Sequence, residues 1–149
     1  MDDLAYLQDY LDRAIPLSGA MGVEVRDYDG GRLVLKAPLA ANYNHQDTAF
    51  GGSLYALAAL AGWGLLTLGL RRRGLQADVV IAKSEMVYHR PVEGDFLACC
   101  EAGEAEQLAP FFRRLTQRGK ARIELQVALA DGPEPGADFS GNFAARLRS

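Results

Sequence analysis

A stretch without any charged residue, TAFGGSLYALAALAGWGLLTLGL at residues 48–70, constrains the fold more than any other part of the sequence. It is followed at once by three arginines at 71–73. By length alone it could cross a bilayer, because spanning takes about 20 apolar residues. A helix that is apolar on all sides is otherwise a core element, which the rest of its own chain must cover. The flanking sequence therefore decides between a membrane span and a buried helix.

The sequence on both sides of this stretch alternates between apolar and polar residues, which is typical of half-buried β-strands. Before it, Met21, Val23 and Val25 alternate with charged residues, and a turn at 28–31 leads into a second alternating run at 32–37. After it, the pattern predicts four further strands, at residues 78–90, 96–102, 123–129 and 137–148. The chain therefore carries six predicted strands around one uncharged segment.

An antiparallel sheet with one polar face needs apolar cover on its other face. Only the uncharged segment is large enough to supply that cover, so we predict a buried helix and no membrane association. Two accessory helices are predicted, one at 2–14 that ends before Pro16, and one at 108–118, where an irregular loop is the alternative. The predicted fold class is α+β: a hotdog fold, in which a six-stranded antiparallel sheet is wrapped around a long central helix.

Length and composition limit the remaining choices. The 149 residues suit a single domain spanning 1–149, and a net charge of −3 argues against a general nucleic-acid binder. The acidic start MDDLAYLQDYLDRAIP is unlike a secretory signal, so we expect a cytoplasmic protein. Cys99 and Cys100 are neighbours, which point to opposite faces of a strand and are not expected to form a bridge. No metal-ligand spacing occurs, and we expect neither a metal nor a cofactor.

Three strings resemble hotdog-fold thioesterases: NYNHQDTAFGGSLYALAALAGWG, ADVVIAKSEMVYHRPVEGDF and ADFSGNF. The closest likeness is to the thioesterase-like domain that some bacterial proteins carry behind an acetyltransferase domain. The resemblance implies that the first amides of the central helix polarise a thioester carbonyl, and that a carboxylate, often on the partner's central helix, activates water or attacks. It also implies a dimer formed by joining two sheets edge to edge, with sites at the interface; a tetramer is left open.

The resemblance can be followed position by position. Asn44 matches the family's loop asparagine, and Gly51 and Gly52 match the Gly-Gly of a His-Gly-Gly that leads into the helix. Phe50 stands where many relatives have histidine, and Asp47 stands where many have glycine.

One departure affects the chemistry directly. Ala59 stands where the helix carboxylate of relatives often lies, so the usual general base or nucleophile is missing. This departure favours the alternative of a binding module that holds acyl-CoA or another acyl thioester without hydrolysing it.

The residues themselves support a thioester site at the helix start. A helix start presents unpaired N–H groups, and Gly51 and Gly52 let a ligand approach that backbone closely. The amide of Gly52 is our candidate for stabilising the oxyanion, whereas the alternative is that the glycines only let the helix enter the sheet. Asp47 is a candidate base for water, and Asn44 a candidate for holding water or substrate; for both, the alternative is an ordinary turn residue.

Three further residues are candidate contacts to the substrate. His45 is a possible acid or base, or simply an exposed loop histidine. Ser53 lacks the G-x-S-x-G context of a nucleophile and is expected to satisfy first-turn amides instead. On the strand at 78–90, Glu85 shares a face with Lys83 and His89; it is a candidate base at the dimer seam or a solvated residue. The opposite set, predicted to face the core, comprises Ala82, Ser84, Met86 and Tyr88.

A basic cluster completes the candidate set. Arginine suits phosphate recognition, so the cluster is a candidate for binding the phosphates of coenzyme A or the acidic surface of an acyl carrier protein, against the alternative of a solvated surface. Its members are Arg113, Arg114, Arg118, Lys120 and Arg122. Aromatic residues near the helix, either lining an acyl tunnel or simply core, are Phe50, Trp63, Phe111 and Phe112.

These observations predict an acyl thioesterase that acts on acyl-CoA or acyl-carrier-protein thioesters as a homodimer without a metal or organic cofactor. A hotdog dehydratase is disfavoured, since no His-Phe-Pro-type motif occurs.

Overall fold

The computed structural model describes residues 1–102 and 108–149. The helices are α1 (Asp3–Ala14), α2 (Pro16–Met21), α3 (Gly51–Arg72) and α4 (Leu108–Arg118). The strands are β1 (Glu24–Tyr28), β2 (Arg32–Ala37), β3 (Ala77–Tyr88), β4 (Phe96–Glu101), β5 (Lys120–Ala130) and β6 (Ala137–Leu147). A single 3₁₀ turn at Leu39–Ala41 follows β2.

The six strands form one antiparallel sheet in the order β1-β2-β4-β5-β6-β3, and α3 packs against strands β2 to β6. Alternation within the strands places one set of side chains under the helix. On β5 the buried set is Ile123, Leu125, Val127 and Leu129. The predicted fold class is confirmed: the protein has the hotdog fold, with a long central helix covered by a curved sheet.

The uncharged segment forms the core helix of this sheet. By length and composition α3 would qualify as a membrane span, but 61% of its apolar window is buried inside the fold. Leu57, Leu65 and Leu66 have no exposed surface. Helix α3 begins at Gly51, three residues later than the uncharged stretch, and ends with a left-handed Gly74 (φ +66°) whose N–H bonds to the carbonyl of Arg71. This left-handed glycine directly follows the three arginines at 71–73.

Two expectations for the N-terminal segment were wrong in detail. Pro16 follows the end of α1, as expected, but it also occupies the first turn of α2, a helix that the sequence did not suggest. Proline suits the first helical position because its missing N–H has no intrahelical partner there. Met21 consequently belongs to α2, and β1 begins only at Glu24.

Strand β3 lies at an edge of the sheet and carries an irregularity. Its register with β6 shifts between Ile81 and Lys83, leaving Ala82 unpaired as in a β-bulge. One extra residue shifts the alternation of a strand by one position. Odd-numbered Val79 is therefore half-buried before the bulge, whereas even-numbered Ser84 is half-buried after it. The prediction that Ala82 faces the core is therefore wrong, since Ala82 is exposed.

The neighbouring cysteines lie on β4, and both are free thiols, as predicted. Cys100 points into the core, and burial raises the pKa of its thiol to about 12. Cys99 is half-buried on the outer face, and burial raises its pKa as well.

Candidate active site

The first turn of α3 presents free backbone donors. Phe50 occupies the N-cap position and its side chain offers no capping oxygen. The N–H groups of Ser53 and Leu54 bond to the carbonyl of Phe50, at 2.9 and 3.1 Å. The N–H groups of Gly51 and Gly52 have no acceptor within the described residues. Two adjacent amides with the positive end of a 22-residue helix behind them therefore point away from the helix without partners.

Two aromatic side chains border these amides. The ring of Phe50, which is 55% exposed, lies over Gly52, where an added Cβ would be 2.5 Å from a ring carbon. The ring of Tyr88 lies beside Gly51, and its hydroxyl donates a hydrogen bond of 2.8 Å to the Gly51 carbonyl. Partial burial raises the pKa of Tyr88 above its ordinary value, with a smaller contribution from Tyr55, so the hydroxyl stays protonated at neutral pH.

Asn44 organises the loop that precedes the helix. Its side-chain NH₂ donates to Thr48 Oγ1 at 2.9 Å and to the carbonyl of Ala49 at 3.4 Å. Its side-chain oxygen accepts from the N–H groups of Gln46 and Thr48, at 2.9 and 3.2 Å. The amide is thus fully used inside the loop, which supports the role of a turn residue over that of a substrate contact.

Asp47 lies at the tip of this loop. Its N–H donates to the carbonyl of Asn44 at 3.1 Å, and its backbone is left-handed, with φ +62°. Its carboxylate is exposed and has no hydrogen-bond partner in the described part of the chain. The left-handed conformation gives a physical reason for the glycine that the resemblance implies at this position, since glycine adopts a positive φ without steric cost.

The loop and the helix start are held from behind by backbone contacts. The N–H of Ala49 donates to the carbonyl of Val92 at 2.8 Å, and the N–H of Phe50 to the carbonyl of Asn42 at 2.7 Å. The Asn42 side chain is buried and donates to the carbonyls of Met21 and Pro38, both at 2.8 Å. Loop 42–50 is therefore anchored to α2 and to the loop after β3.

That second loop carries an ion pair of its own. Arg90 donates to the Asp131 carboxylate at 2.7 Å and to the Glu134 carbonyl at 2.7 Å, and the N–H of Glu93 donates to Asp131 at 2.8 Å. These hydrogen bonds, chiefly the one from Arg90, lower the pKa of Asp131. The pair connects the loop that holds Ala49 to the β5–β6 turn.

The remaining candidates divide into those near the helix start and those away from it. His45 is an exposed loop residue, and Ser53 lies on the first turn without the capping bond expected of its side chain. Glu85 is exposed on β3, and the strand alternation puts it on the face opposite Tyr88. Within one chain, Glu85 therefore lies on the opposite side of β3 from Tyr88, the residue that borders the helix start. The sequence predicted only that Tyr88 points inward. It did not predict that Tyr88 lies beside Gly51, because this contact depends on where β3 crosses the helix start.

Ala59 lines an apolar groove between α2, α3 and β3. The groove has a volume of about 260 Å³ and includes Leu17, Met21, Trp63 and Ile81. Ala59 lies eight residues after Gly51, about 12 Å along the helix axis. No carboxylate of the described residues lines this groove, although the groove lies on the helix face where the resemblance implies a carboxylate. Phe111 and Phe112, by contrast, are buried core residues of α4.

The predicted basic cluster is only partly assembled. Arg114 and Arg118 of α4 line a groove on the sheet together with Lys120 and Arg122 of β5, whereas Arg113 is exposed outside it. Arg146 of β6 joins them, a residue far along the sequence that only the pairing of β5 with β6 brings close. Over the described ranges, no group of three or more His, Cys, Asp or Glu residues could hold a metal ion.

A long helix across a curved six-stranded sheet defines the class of hotdog-fold proteins, and in this chain the helix start carries free amides. The sequence matches the family model for "Putative thioesterase (yiiD_Cterm)" over residues 4–147, and the chain belongs to that family.

Solved structures agree with this assignment. The chain is 36% identical, with a TM-score of 0.91, to a protein of unknown function from Chlorobaculum tepidum TLS, covering 97% of this chain and 94% of that one. It is 31% identical, with a TM-score of 0.85, to a "putative thioesterase" from Shewanella oneidensis, covering 97% of each chain. A "probable thioesterase" from Pseudomonas aeruginosa shares the fold, at 21% identity and a TM-score of 0.83 over 97% of this chain and 95% of that one.

Proposed function

We propose that the protein hydrolyses acyl thioesters of coenzyme A or of an acyl carrier protein at the start of α3. The observation that carries the proposal is the pair of free N–H groups on Gly51 and Gly52, bordered by exposed aromatic rings. Membership of a thioesterase family supports a thioester as the substrate. Acyl-CoA is a cytoplasmic metabolite, so the proposal also places the protein in the cytoplasm.

In the proposed reaction the thioester carbonyl oxygen faces the amide of Gly52, with Gly51 as the second donor. Asp47 removes a proton from a water molecule, whose oxygen attacks the carbonyl carbon. The negative charge that develops on the carbonyl oxygen is stabilised by the two amides, each worth about 3 kcal/mol where such donors have been tested. The C–S bond then breaks, the thiolate takes the proton from Asp47, and the carboxylic acid leaves.

A second copy of the chain would complete the site. Phe50 and Gly52 are exposed in the single chain, and neither the apolar nor the basic groove includes them. Strand β3, which carries Tyr88, has one free edge along its 12 residues. Pairing of two β3 edges in a homodimer would cover the helix start. The exposed first turn of α3 would then lie in a cleft between the two chains, as the resemblance implies.

The acyl chain would lie in the apolar groove along α3. The groove contains Ala59 and Trp63 and lies about 12 Å along the helix from Gly51. A carboxylate at position 59 would place a charge inside this groove. Alanine instead keeps it apolar, and we assign the base to Asp47 for that reason.

The test is release of thiol from a panel of acyl-CoAs of different chain lengths by the wild-type protein and two variants at one position. Gly51→Pro removes one donor, and proline is tolerated at the first helical position, particularly after a residue as extended as Phe50 (φ −64°, ψ 132°). Gly51→Ala is the matched control, because it keeps the N–H and places its Cβ at an ordinary 3.4 Å from the Tyr88 ring.

We expect kcat to fall roughly a hundredfold in Gly51→Pro relative to Gly51→Ala. If the folded wild-type dimer releases no thiol from any acyl-CoA, the proposal fails. Tight acyl-CoA binding without turnover would then support the alternative, a non-hydrolytic binding module, which is the function that Ala59 favours.

A further inference from the structure

The basic groove is a built concavity and not a scattered charge patch. We use this name for the groove lined by Arg114, Arg118, Lys120, Arg122 and Arg146. It has a volume of about 580 Å³, within the range of small-molecule sites, roughly 300–1,000 Å³. Its lining also includes the apolar residues Val80, Ala121, Ala144 and Ala145.

The five cations of the basic groove are not neutralised by the residues that the structure describes. No ion pair within 1–102 and 108–149 involves any of them. Asp78 is the one carboxylate among the described residues that lines the groove, and it is already paired with Arg148 at 2.9 Å. Elsewhere arginines pair with carboxylates, as in Arg71 with Asp3 at 2.7 Å. In the part of the chain that the structure describes, a protein of net charge −3 thus concentrates unpaired positive charge in one groove.

One guanidinium of the groove is held in place. Arg114 donates to the carbonyl of Arg122 at 3.0 Å, which ties α4 to β5 and fixes the direction of the Arg114 side chain. Planar guanidinium groups bind phosphate oxygens in a bidentate manner, and several of them converge here on one space. The apolar residues beside them offer a surface for a flat ring.

We propose that the basic groove binds the phosphate groups of a nucleotide that carries at least two of them. A nucleotide combines multiple phosphates for the guanidinium groups with a base for the apolar lining. The acidic surface of a carrier protein would contact the cations but would leave the concavity empty. The nucleotide is either the phosphorylated end of coenzyme A or a free nucleotide that is not part of the substrate.

The position of the groove favours coenzyme A, an assignment that rests on the proposed function. Asp78 lies at the start of β3 and Tyr88 at its end, ten residues or about 33 Å away. Within one chain the groove is therefore at the far end of the strand from the helix start. Two copies joined symmetrically by their β3 edges run antiparallel, which brings the Asp78 end of one chain beside the Tyr88 end of the other. The nucleotide would then bind one protomer and the thioester its partner.

The experiment measures binding of adenosine 3′,5′-bisphosphate to the full chain by titration calorimetry. Arg118→Ala with Arg146→Ala removes two cations for which the structure shows no hydrogen bond or ion pair among the described residues. Arg13→Ala with Arg26→Ala removes two exposed arginines outside the groove and is the matched control. We expect the Kd to rise about tenfold or more in the first double variant and to stay within about twofold of the wild type in the control. Absence of binding by the wild type, or equal binding by both double variants, overturns the proposal.

A second measurement identifies the source of the nucleotide. If coenzyme A is the ligand, KM for acyl-CoA rises in Arg118→Ala/Arg146→Ala and not in the control. If KM stays at the control value while bisphosphate binding is lost, the ligand is a free nucleotide. Binding of an acyl carrier protein that the bisphosphate cannot displace would overturn the nucleotide assignment. Bisphosphate binding by a protein that hydrolyses no thioester refutes the proposed function and leaves the groove assignment standing.

Discussion

At the scale of single residues, Asn44 and Asp47 differ in what their side chains do in the loop 44–48. Either residue type could hold the turn or act at the substrate. Asn44 uses its side-chain donors and acceptor to hold the turn closed, whereas Asp47 leaves its carboxylate free at the tip. A left-handed φ of +62° at Asp47 costs an aspartate little, because short polar side chains tolerate this region better than others. The loop therefore presents, at its tip, a carboxylate without a hydrogen-bond partner among the described residues, four positions before Gly51.

Replacing this carboxylate separates catalysis from folding. Asp47→Asn keeps the shape and suits the left-handed backbone, and Asp47→Gly removes the side chain at a position where glycine is relaxed. We expect kcat for acyl-CoA hydrolysis to fall roughly a hundredfold in both variants, as for loss of a general base, with an unchanged or slightly higher melting temperature. Gln46→Ala, on the exposed neighbour, is the control. Full activity in Asp47→Asn would remove Asp47 from the mechanism.

At the scale of elements, the glycines of the central helix α3 leave room for large side chains of the neighbouring elements. Gly62 faces the ring of Phe143 on β6, Gly64 faces Leu33 on β2, and Gly69 faces the ring of Phe112 on α4. The sheet and α4 thus place large side chains against positions of α3 that have none. The small residues set how closely the strands approach the helix, and hence how tightly the core packs.

Adding one methyl group tests this packing. In Gly62→Ala the new Cβ would overlap the Phe143 ring, which would have to shift, and we expect a loss of about 1–3 kcal/mol in the free energy of unfolding. Gly19→Ala is the control, since its Cβ would meet no atom within 4 Å on a short helix. There we expect no loss, or a gain of up to about 1 kcal/mol. Chemical denaturation measures both values, and equal stabilities would contradict close packing at Gly62.

The loop clamp between Arg90 and Asp131 predicts a pH dependence. The folded-state pKa of Asp131 is lowered, so the pair contributes stability above the unfolded pKa, about 4, and loses it as pH falls through the folded value. We expect Asp131→Asn to unfold more easily than wild type at pH 7, and the difference to shrink steadily below about pH 4. Thermal melts of both proteins across this range measure it. A difference that stays constant or grows on acidification would rule out the ion pair as its cause.

Most elements of the fold follow from periodicity in the sequence, but three features do not. Helix α2 was missed because Pro16 marks the end of one helix and the start of the next. The bulge at Ala82 leaves no local signal, and it reverses which side chains face the helix. Arg146 joins Arg122 and Lys120 only because β6 returns beside β5. The loop and the glycine pair were visible in the sequence, whereas Tyr88 beside Gly51 required the tertiary structure.

At the scale of the whole molecule, the two edges of the sheet differ in what they expose. Strand β1 has five residues, whereas β3 has 12 and presents exposed apolar side chains at Val80, Ile81 and Val87. Long apolar edges readily pair with another strand unless something covers them. The β3 edge is therefore the surface by which we expect two copies to associate.

A charge placed on this edge tests the association. Val87 and Leu97 are matched apolar residues, 45% and 41% exposed, but Val87 lies on the β3 edge and Leu97 on the internal strand β4. We expect wild type and Leu97→Lys to have twice the chain mass of 16.1 kDa by light scattering. Val87→Lys should shift towards the single-chain mass and lose activity, because the new lysine would face the partner's basic groove. A fully dimeric and active Val87→Lys would exclude this edge as the interface.

Phe50 at the N-cap of α3 leaves an amide free for the proposed reaction, at a cost in the stability of the helix. A hydroxyl at this position would accept a hydrogen bond from Gly52 and stabilise the helix by about 1 kcal/mol. Phe50→Ser is therefore expected to raise the melting temperature while occupying the donor that the oxyanion needs, so that kcat falls. Calorimetry would show the higher melting temperature, and thiol release from the same sample would show the lower kcat. A variant in which both rise would contradict the role of the Gly52 amide. Selection of this protein for heat resistance alone would tend to enrich inactive variants.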